Sequence, residues 1–266
     1  MNLVRNKSFW RKSFRIVRCF SSDGLLPTET LQGFADHLKE KCDNVLVMAG
    51  AGLSTPSGIP DFRELYPGGK YHPNLGHHFV HLLHHKGKLL RMYTQNIDGL
   101  ERLIINVTNL FCLPVSGIPG ELLVEAHGGF NTASCIRCFK KHDPDKTREL
   151  ILQGETVRCD RSFCKGLVKP DIVFFGEALP DRFFLYEIDT IHADCLIVIG
   201  TSLEDSIPRI LLNRDVVGSF GFRGKDLVMQ GDIIESVKSL ATALGWMDDL
   251  EEVAKMYLQK NPVSGG

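Results

Sequence analysis

Gly50–Arg63, with the sequence GAGLSTPSGIPDFR, directly follows the apolar run Val45–Met48. A strand that ends in glycines leaves its last backbone N–H groups free, and glycine lets them approach a phosphate with no side chain in the way. The pattern therefore predicts a nucleotide-binding turn. Thr55 stands where an ordinary dinucleotide fingerprint has its third glycine, and no acid follows about 20 residues later to bind a ribose. This departure disfavours a dehydrogenase.

The chain around this turn alternates apolar runs with amphipathic stretches. The further predicted strands are Leu89–Tyr93, Ile172–Phe175, Asp194–Ile199, Pro208–Leu212 and Lys225–Met229. The predicted helices are Thr30–Cys42, Pro73–Lys86, Pro180–Ile191 and Ile233–Leu244. Several strands are too apolar to have a wet face, which is typical of buried parallel strands. The order predicts an α/β fold with a doubly wound parallel sheet.

The composition is that of a soluble globular protein, with 43% hydrophobic and 24% charged residues among 266. No apolar run approaches the length of a transmembrane helix, so no membrane span is predicted. The net charge of −1 is uneven, because residues 1–22 contain six cations and no acid. The remaining chain is therefore mildly acidic, and nucleic acid is not an expected partner.

Residues 1–25 have the composition of a mitochondrial transit peptide, because they are rich in arginine and serine, amphipathic and free of acids up to Ser22. This predicts import into the mitochondrial matrix, with cytoplasm or nucleus as the alternative. A solvated or membrane-surface basic arm is the other interpretation of the segment.

Two cysteine pairs interrupt the alternation. They are Cys135 with Cys138, and Cys159 with Cys164. Paired thiols at this spacing, in a compartment that keeps thiols reduced, favour a structural Zn²⁺ site with four sulfur ligands over disulfides or a redox pair. The other cysteines lack a partner pattern and are assigned to the leader, the core or loops.

The chain offers few candidates for acid or base chemistry. Gln95–Asp98 follows an apolar strand, at the edge where α/β sheets bind ligands. His127 lies between small residues, which leaves it room to reach a hydroxyl as a general base, although a structural histidine is the competing interpretation. Five histidines in the predicted helix Pro73–Lys86 are expected to form a solvated face.

Together and in this order, the motifs closely resemble those of the sirtuin family, most of all its mitochondrial type, from about Leu31 to Met247. The resemblance rests on the glycine turn with Asp61–Arg63, Gln95–Asp98, His127–Gly128, the two cysteine pairs, Phe174–Glu177, Gly200–Ser202 and Asn213–Asp215. It implies a Rossmann-like NAD domain, formed by residues 26–102 and 167–266, and a small zinc-binding module at 128–166. It also implies NAD-dependent removal of acetyl or other acyl groups from protein lysines, with nicotinamide and O-acetyl-ADP-ribose as products.

The resemblance also implies a role for each matching residue. The pyrophosphate would be bound by Gly50, Ala51, Gly52 and Ser54, and the nicotinamide side would be lined by Asp61, Phe62, Arg63, Gln95, Asn96, Ile97 and Asp98. The adenosine half would be surrounded by Gly200, Thr201, Ser202, Asn213, Arg214, Asp215, Asp232 and Ile233. The acyl-lysine tunnel would be bordered by Val173, Phe175 and Glu177. In the family mechanism His127 deprotonates a ribose hydroxyl, with Asn96 and Asp98 as the other catalytic residues.

The chain departs from the family pattern in three places. Glu64–Gly68 follows Arg63 where the family has several dozen residues that cover the cofactor, and Asp205–Pro208 replaces the segment that pairs with substrate backbone. Residues 103–114 form an atypical insertion. These departures suggest an alternatively spliced or mis-predicted product. The alternative function is a catalytically impaired chain that retains only NAD or zinc binding or partner interaction.

Overall fold

The computed structural model describes residues 15–17, 30–59, 71–103, 118–201, 207–223 and 226–261. The candidate cofactor residues Asp61, Phe62, Arg63 and Ser202 lie outside these ranges. So do residues 104–114 of the predicted insertion and most of the predicted leader.

The described chain forms ten strands and eight α-helices. The strands are β1 (Arg15–Val17), β2 (Val45–Ala49), β3 (Leu89–Thr94), β4 (Leu123–Glu125), β5 (Gly128–Cys135), β6 (Lys141–His142), β7 (Val168–Ile172), β8 (Cys195–Ile199), β9 (Arg209–Asn213) and β10 (Asp226–Gln230). The helices are α1 (Leu31–Lys41), α2 (Ala51–Ser54), α3 (Leu75–His85), α4 (Leu100–Leu103), α5 (Pro144–Leu152), α6 (Tyr186–His192), α7 (Ile233–Leu244) and α8 (Met247–Lys260).

The larger sheet has seven strands in the spatial order β1-β10-β9-β8-β2-β3-β4. Neighbours are parallel except that β1 pairs antiparallel with β10. Counted along the chain, the six parallel strands lie in the order 6-5-4-1-2-3, which is the Rossmann order. The strand order reverses between β2 and β8, and at such a switch point α/β proteins bind their ligands. The predicted doubly wound, Rossmann-like parallel sheet is confirmed.

Apolar side chains fill both faces of this sheet. The strands β2 and β8 are buried at every position, as their continuous apolar sequences predict. Helix α1 begins after Thr30, whose hydroxyl accepts a hydrogen bond from the Gly33 N–H, and it buries Phe34, Ala35 and Leu38. Helix α7 spans the predicted residues and packs beside α1.

A smaller antiparallel sheet has the order β6-β5-β7, and the cysteine pairs lie at the end of β5 and in the segments that connect its strands. This sheet corrects one prediction, because Ile172–Phe175 is not a buried parallel strand. The strand there is β7, which ends at Ile172, while Phe174 and Phe175 are exposed. An apolar run is ambiguous when the segment covers a cleft, since apolar side chains then face a ligand site rather than a core.

The prediction of a solvated histidine face is wrong for three of the five histidines. His77, His78 and His81 of α3 are buried. Helix α8 packs against α3, and the ring of Tyr257 lies 5.3 Å from that of His78. The amphipathic pattern of α3 does not reveal this second covering helix, because histidine is common on both wet and buried surfaces. Among the described residues, no helix combines the length and apolar character that crossing a bilayer requires.

Candidate functional site

The glycine turn lies at the switch point between β2 and β8. A Cβ atom on Gly52 would lie 2.6 Å from Gly200 Cα, and one on Gly50 would lie 2.7 Å from Thr201 Cβ. Gly200 has φ of +68°, a conformation that favours glycine. The first strand-to-helix turn therefore packs directly on the end of β8, and the side-chain-free backbone that a nucleotide phosphate needs is present.

Beside this turn, Asn96 is held by a buried polar cluster. Its Nδ2 donates to Ser54 Oγ at 3.1 Å and to Glu101 Oε1 at 3.4 Å. Its backbone N–H donates to Thr94 Oγ1 at 3.1 Å, and Thr94 Oγ1 donates to Glu101 Oε1 at 2.7 Å. The end of β3 is thus fixed to the end of α2, which brings the predicted Ser54 and Asn96 together.

Two carboxyl groups belong to this cluster. Burial raises the pKa of Asp98, whereas hydrogen bonds from Ser54 and from the Leu100 N–H oppose the shift. Burial, and then the charge of Asp98, raise the pKa of Glu101 to about 8, against the hydrogen bond from Thr94. Glu101 is therefore mostly uncharged at neutral pH.

His77 approaches the same cluster from α3. Its Nδ1 accepts from the Asn74 N–H at 3.3 Å, and its Nε2 lies 3.5 Å from Ser54 Oγ. Burial, and then His78, lower the pKa of His77 to about 3. The imidazole is neutral with its proton on Nε2, which points at the Ser54 hydroxyl.

His127 lies on the turn between β4 and β5, beside Gln95. Its Nδ1 is 2.9 Å from the Gln95 carbonyl oxygen, which can only accept, so Nδ1 carries the proton and Nε2 is the basic nitrogen. The Gln95 side chain reaches the other way, where its Oε1 accepts from Thr201 Oγ1 at 3.1 Å. Gln95 therefore links the candidate base to the end of β8.

A cleft of about 760 Å³ opens in front of His127. Its walls include all three predicted substrate residues, Val173, Phe175 and Glu177, together with Ile97. The Val173 N–H donates to the His127 carbonyl at 2.9 Å, which closes one wall. Glu177 accepts from Lys169 Nζ at 3.0 Å, so the two charged groups in the cleft pair with each other. The remaining lining is mainly apolar.

The candidate adenosine residues lie along the same edge of the sheet. Asn213 ends β9, and its Nδ2 donates to the Asp215 carbonyl. Arg214 and Asp215 are exposed, with 3.7 Å between Arg214 Nε and Asp215 Oδ2. The Asp232 carboxylate caps α7 by accepting from the Ile234 and Glu235 N–H groups. Asp232 thus has a helix-capping role that is independent of any ligand.

The four cysteine sulfurs come together as predicted, all within 4.8 Å of one another. Cys135 and Cys164 are 3.5 Å apart, and Cys138 and Cys159 are 3.7 Å apart. Tetrahedral Zn²⁺ with bonds of about 2.3 Å would place its sulfur ligands about 3.8 Å apart. The donor set and its dimensions fit zinc. Cys42 and Cys195 are buried in the core, as predicted.

Sequence reasoning missed Thr94, Glu101 and His77. Thr94 and Glu101 flank Gln95–Asp98, so their proximity to the motif was visible, but nothing in the spacing shows that their side chains meet. His77 is distant in sequence, and nothing in the sequence distinguishes it from the other four histidines of the predicted helix Pro73–Lys86. Only the packing of α3 against α2 brings it to Ser54.

Sequence comparisons identify relatives of this chain. A sequence profile of the Sir2 family matches residues 64–206. The chain is 41% identical to NAD-dependent protein deacetylase sirtuin-3 of Mus musculus, over 83% of this chain and 78% of the relative. It is 39% identical to NAD-dependent protein deacetylase hst2-1 of Emericella nidulans, over 90% and 75%. It is 37% identical to NAD-dependent protein deacetylase hst2 of Schizosaccharomyces pombe, over 84% and 79%.

These alignments also bear on the predicted internal losses. The alignment to sirtuin-3 extends over 275 positions. This chain has 266 residues, and only 83% of those residues lie within the alignment. The relative therefore carries internal residues that this chain lacks.

Proposed function

This chain belongs to the Sir2 family, and we propose that it removes acetyl groups from lysine side chains of proteins with NAD as co-substrate. The observation that carries the proposal is the position of His127. His127 lines an apolar cleft of about 760 Å³, and its basic nitrogen is Nε2. Its Nδ1 binds the Gln95 carbonyl, and the Gln95 side chain binds Thr201, which lies against the glycine turn. A nucleotide at the switch point and an acylated lysine in the cleft would meet at His127.

The cleft favours an uncharged guest. A free lysine ammonium loses its hydration there, and the Glu177 carboxylate already pairs with Lys169. An acylated lysine enters at a much lower desolvation cost. Hydrogen bonds from the Phe174 N–H and from Lys169 lower the pKa of Glu177, which keeps this pair ionised. The proposed partners are therefore proteins with acylated lysines.

The chain's own residues would act by orientation and proton transfer. NAD, when bound, supplies a ribose carbon that accepts the acyl oxygen as nicotinamide leaves. Asn96 and Asp98 would hold the nicotinamide half, Gly50, Gly52 and Ser54 would hold the pyrophosphate, and His127 Nε2 would take a ribose hydroxyl proton. The Gln95 carbonyl would stabilise the resulting imidazolium at Nδ1. Zinc, when bound by the four cysteines, would have a structural role.

Activity of the purified chain tests the proposal. The chain is mixed with an acetyl-lysine peptide and NAD, and nicotinamide release and peptide mass are followed. We expect His127→Asn to lower turnover by a factor on the order of 10²–10⁴, because the general base is lost. His192→Asn is the matched control, since His192 Nδ1 also bonds a backbone carbonyl, at 2.8 Å, but on α6. Equal turnover in wild type and His127→Asn would contradict the proposal.

The second candidate function is NAD or zinc binding without turnover. It is favoured by one observation, the internal residues that sirtuin-3 has and this chain lacks. If those residues cover the cofactor, their loss would weaken positioning and admit water. NAD binding measured by calorimetry, together with an absence of nicotinamide release, would support this candidate.

The mitochondrial matrix is the proposed location, with residues 1–25 as the targeting segment. The basic, acid-poor composition of that segment supports it. A fluorescent protein fused after residue 25 should colocalise with a matrix marker. Diffuse cytoplasmic or nuclear fluorescence would favour the alternative location.

A further inference from the structure

A continuous chain of hydrogen bonds lies behind the Asn96 side chain. It runs from Glu101 through Thr94 and Asn96 to Ser54, with distances of 2.7, 3.1 and 3.1 Å, and Glu101 also accepts directly from Asn96. Glu101, Thr94, Asn96 and Ser54 are all buried. A buried network whose members are satisfied rigidifies its surroundings, whereas an unsatisfied member costs about 1–3 kcal/mol.

This network sets the orientation of the Asn96 amide. Both Nδ2 hydrogens are used, one toward Ser54 and one toward Glu101. The amide plane is thereby fixed, and the amide oxygen Oδ1 faces away from Ser54 Oγ and Glu101 Oε1. Rotation of the amide by half a turn would place Oδ1 against the Glu101 oxygen, which is repulsive.

His77 terminates the chain at its other end. Because Nδ1 accepts from Asn74, the Nε2 proton points at Ser54 Oγ, which leaves the Ser54 hydroxyl proton for Asp98. The hydroxyl thus has a defined direction. The order of donors and acceptors is consistent from His77 to Glu101.

Glu101 faces several charged groups. Asp98 lies on its own loop, and Glu125 lies at the end of β4. Arg102 forms a bidentate pair with Glu125, which neutralises that neighbour. A negative charge on Glu101 would therefore be buried beside the Asp98 carboxylate. Burial, and then the charge of Asp98, raise the pKa of Glu101 to about 8.

We propose that Glu101 is a positioning residue of this site, which fixes the Asn96 amide by accepting hydrogen bonds from Asn96 Nδ2 and Thr94 Oγ1. The catalytic consequence rests on the proposed function, but the geometry does not. Glu101 touches neither NAD nor the acyl group in this assignment, and it acts through Asn96.

Two variants separate positioning from simple stability. Glu101→Gln retains an acceptor oxygen and cannot ionise, whereas Glu101→Leu has a similar size and no acceptor. Glu101→Gln should therefore keep kcat/KM for NAD close to that of wild type. Glu101→Leu should lower it by about tenfold or more, because Thr94 and Asn96 both lose their buried acceptor.

Nuclear magnetic resonance gives a readout that does not need turnover. In ¹⁵N-labelled protein, the side-chain amide signals of Asn96 should keep nearly their wild-type positions in Glu101→Gln and should move or broaden in Glu101→Leu. Asn96 signals that are unchanged in Glu101→Leu would overturn the proposal. A chain without nicotinamide release but with the expected Asn96 signals would instead refute the deacetylase function and leave the positioning role intact.

Discussion

Gly52 and Gly200 approach each other so closely that neither position has room for a side chain. The two nearest atoms that a Cβ on Gly52 would meet are backbone, Gly200 Cα at 2.6 Å and the Gly200 carbonyl oxygen at 3.2 Å. Backbone cannot rotate away as a flexible side chain can. The contact at this one residue therefore determines whether β2 and β8 hold the glycine turn in a shape that admits a phosphate.

Gly52→Ala should displace this turn, lower the free energy of unfolding by about 1–3 kcal/mol and abolish measurable NAD binding, since overpacking forces a backbone shift. Isothermal calorimetry and urea unfolding measure the two effects. Gly120→Ala is the matched control, because a Cβ there meets nothing within 4 Å. It should change stability by no more than about 0.5 kcal/mol. NAD binding of Gly52→Ala with wild-type affinity would argue against the turn as the phosphate site.

At the scale of elements, α3 and α8 meet through buried imidazoles. His78 packs against Tyr257, and burial, followed by the charge of His81, lowers the pKa of His78 to about 4. His77 is shifted in the same direction. Both pKa values are lower in the folded protein than the unfolded value near 6.5. The unfolded state therefore binds more protons as the pH falls below about 6.5, and stability falls with it.

We expect the free energy of unfolding to decrease between pH 7 and pH 5 by about 2 kcal/mol for each of these two histidines. His78→Phe keeps an aromatic ring against Tyr257 and should remove about half of their combined loss. Urea unfolding at the two pH values measures it, with the exposed His85→Phe as control. The same pH dependence in wild type and His78→Phe would show that His78 does not titrate with folding.

The zinc knuckles are the second element-scale feature. Cys159→Ser should reduce bound zinc from about one equivalent to near zero and destabilise the small sheet, because the four ligands join the end of β5 to the segment that precedes β7. Zinc is measured by mass spectrometry of the native protein. Cys42→Ala, a core cysteine outside the cluster, should lower stability without lowering zinc content. Full zinc content in Cys159→Ser would exclude the four-cysteine assignment.

Across the whole molecule, the candidate site lies where the two sheets join. His127 connects β4 of the larger sheet to β5 of the smaller one, and Gly128 approaches the Asp171 carbonyl of β7 so closely that a Cβ there would lie 1.8 Å from it. A change in how the sheets pack would move His127 relative to the glycine turn. The position of the base is thus a property of the assembly of both sheets.

The predicted leader also contains β1, which covers the edge of β10 with Ile16 opposite Met229. A chain that starts at residue 26 should associate more at equal concentration, because it exposes an unpaired strand edge. Ile16→Pro in the full chain should have the same effect, since proline interrupts strand pairing. Light scattering measures the mass, with Asn6→Pro as control. Monomeric behaviour of both altered chains would show that β1 does not protect this edge.

The local sequence by itself determined much of this protein. Apolar runs predicted β2 and β8, and amphipathic stretches predicted α1 and α7, because the periodicity of apolar residues depends on neighbouring positions in the chain. The glycine turn and the paired cysteines were visible for the same reason, since their chemistry depends on short spacings. Motif order then predicted the family, and the Sir2 profile and the relatives confirmed it.

Only the tertiary structure decided which side chains meet. It placed His77 beside Ser54, buried the histidines of α3 under α8, and turned the apolar run at Ile172–Phe175 into a strand end and a cleft wall rather than a core strand. These outcomes depend on contacts between segments far apart in the chain. A single segment reveals that it is apolar or polar, but what covers it is set by the rest of the fold.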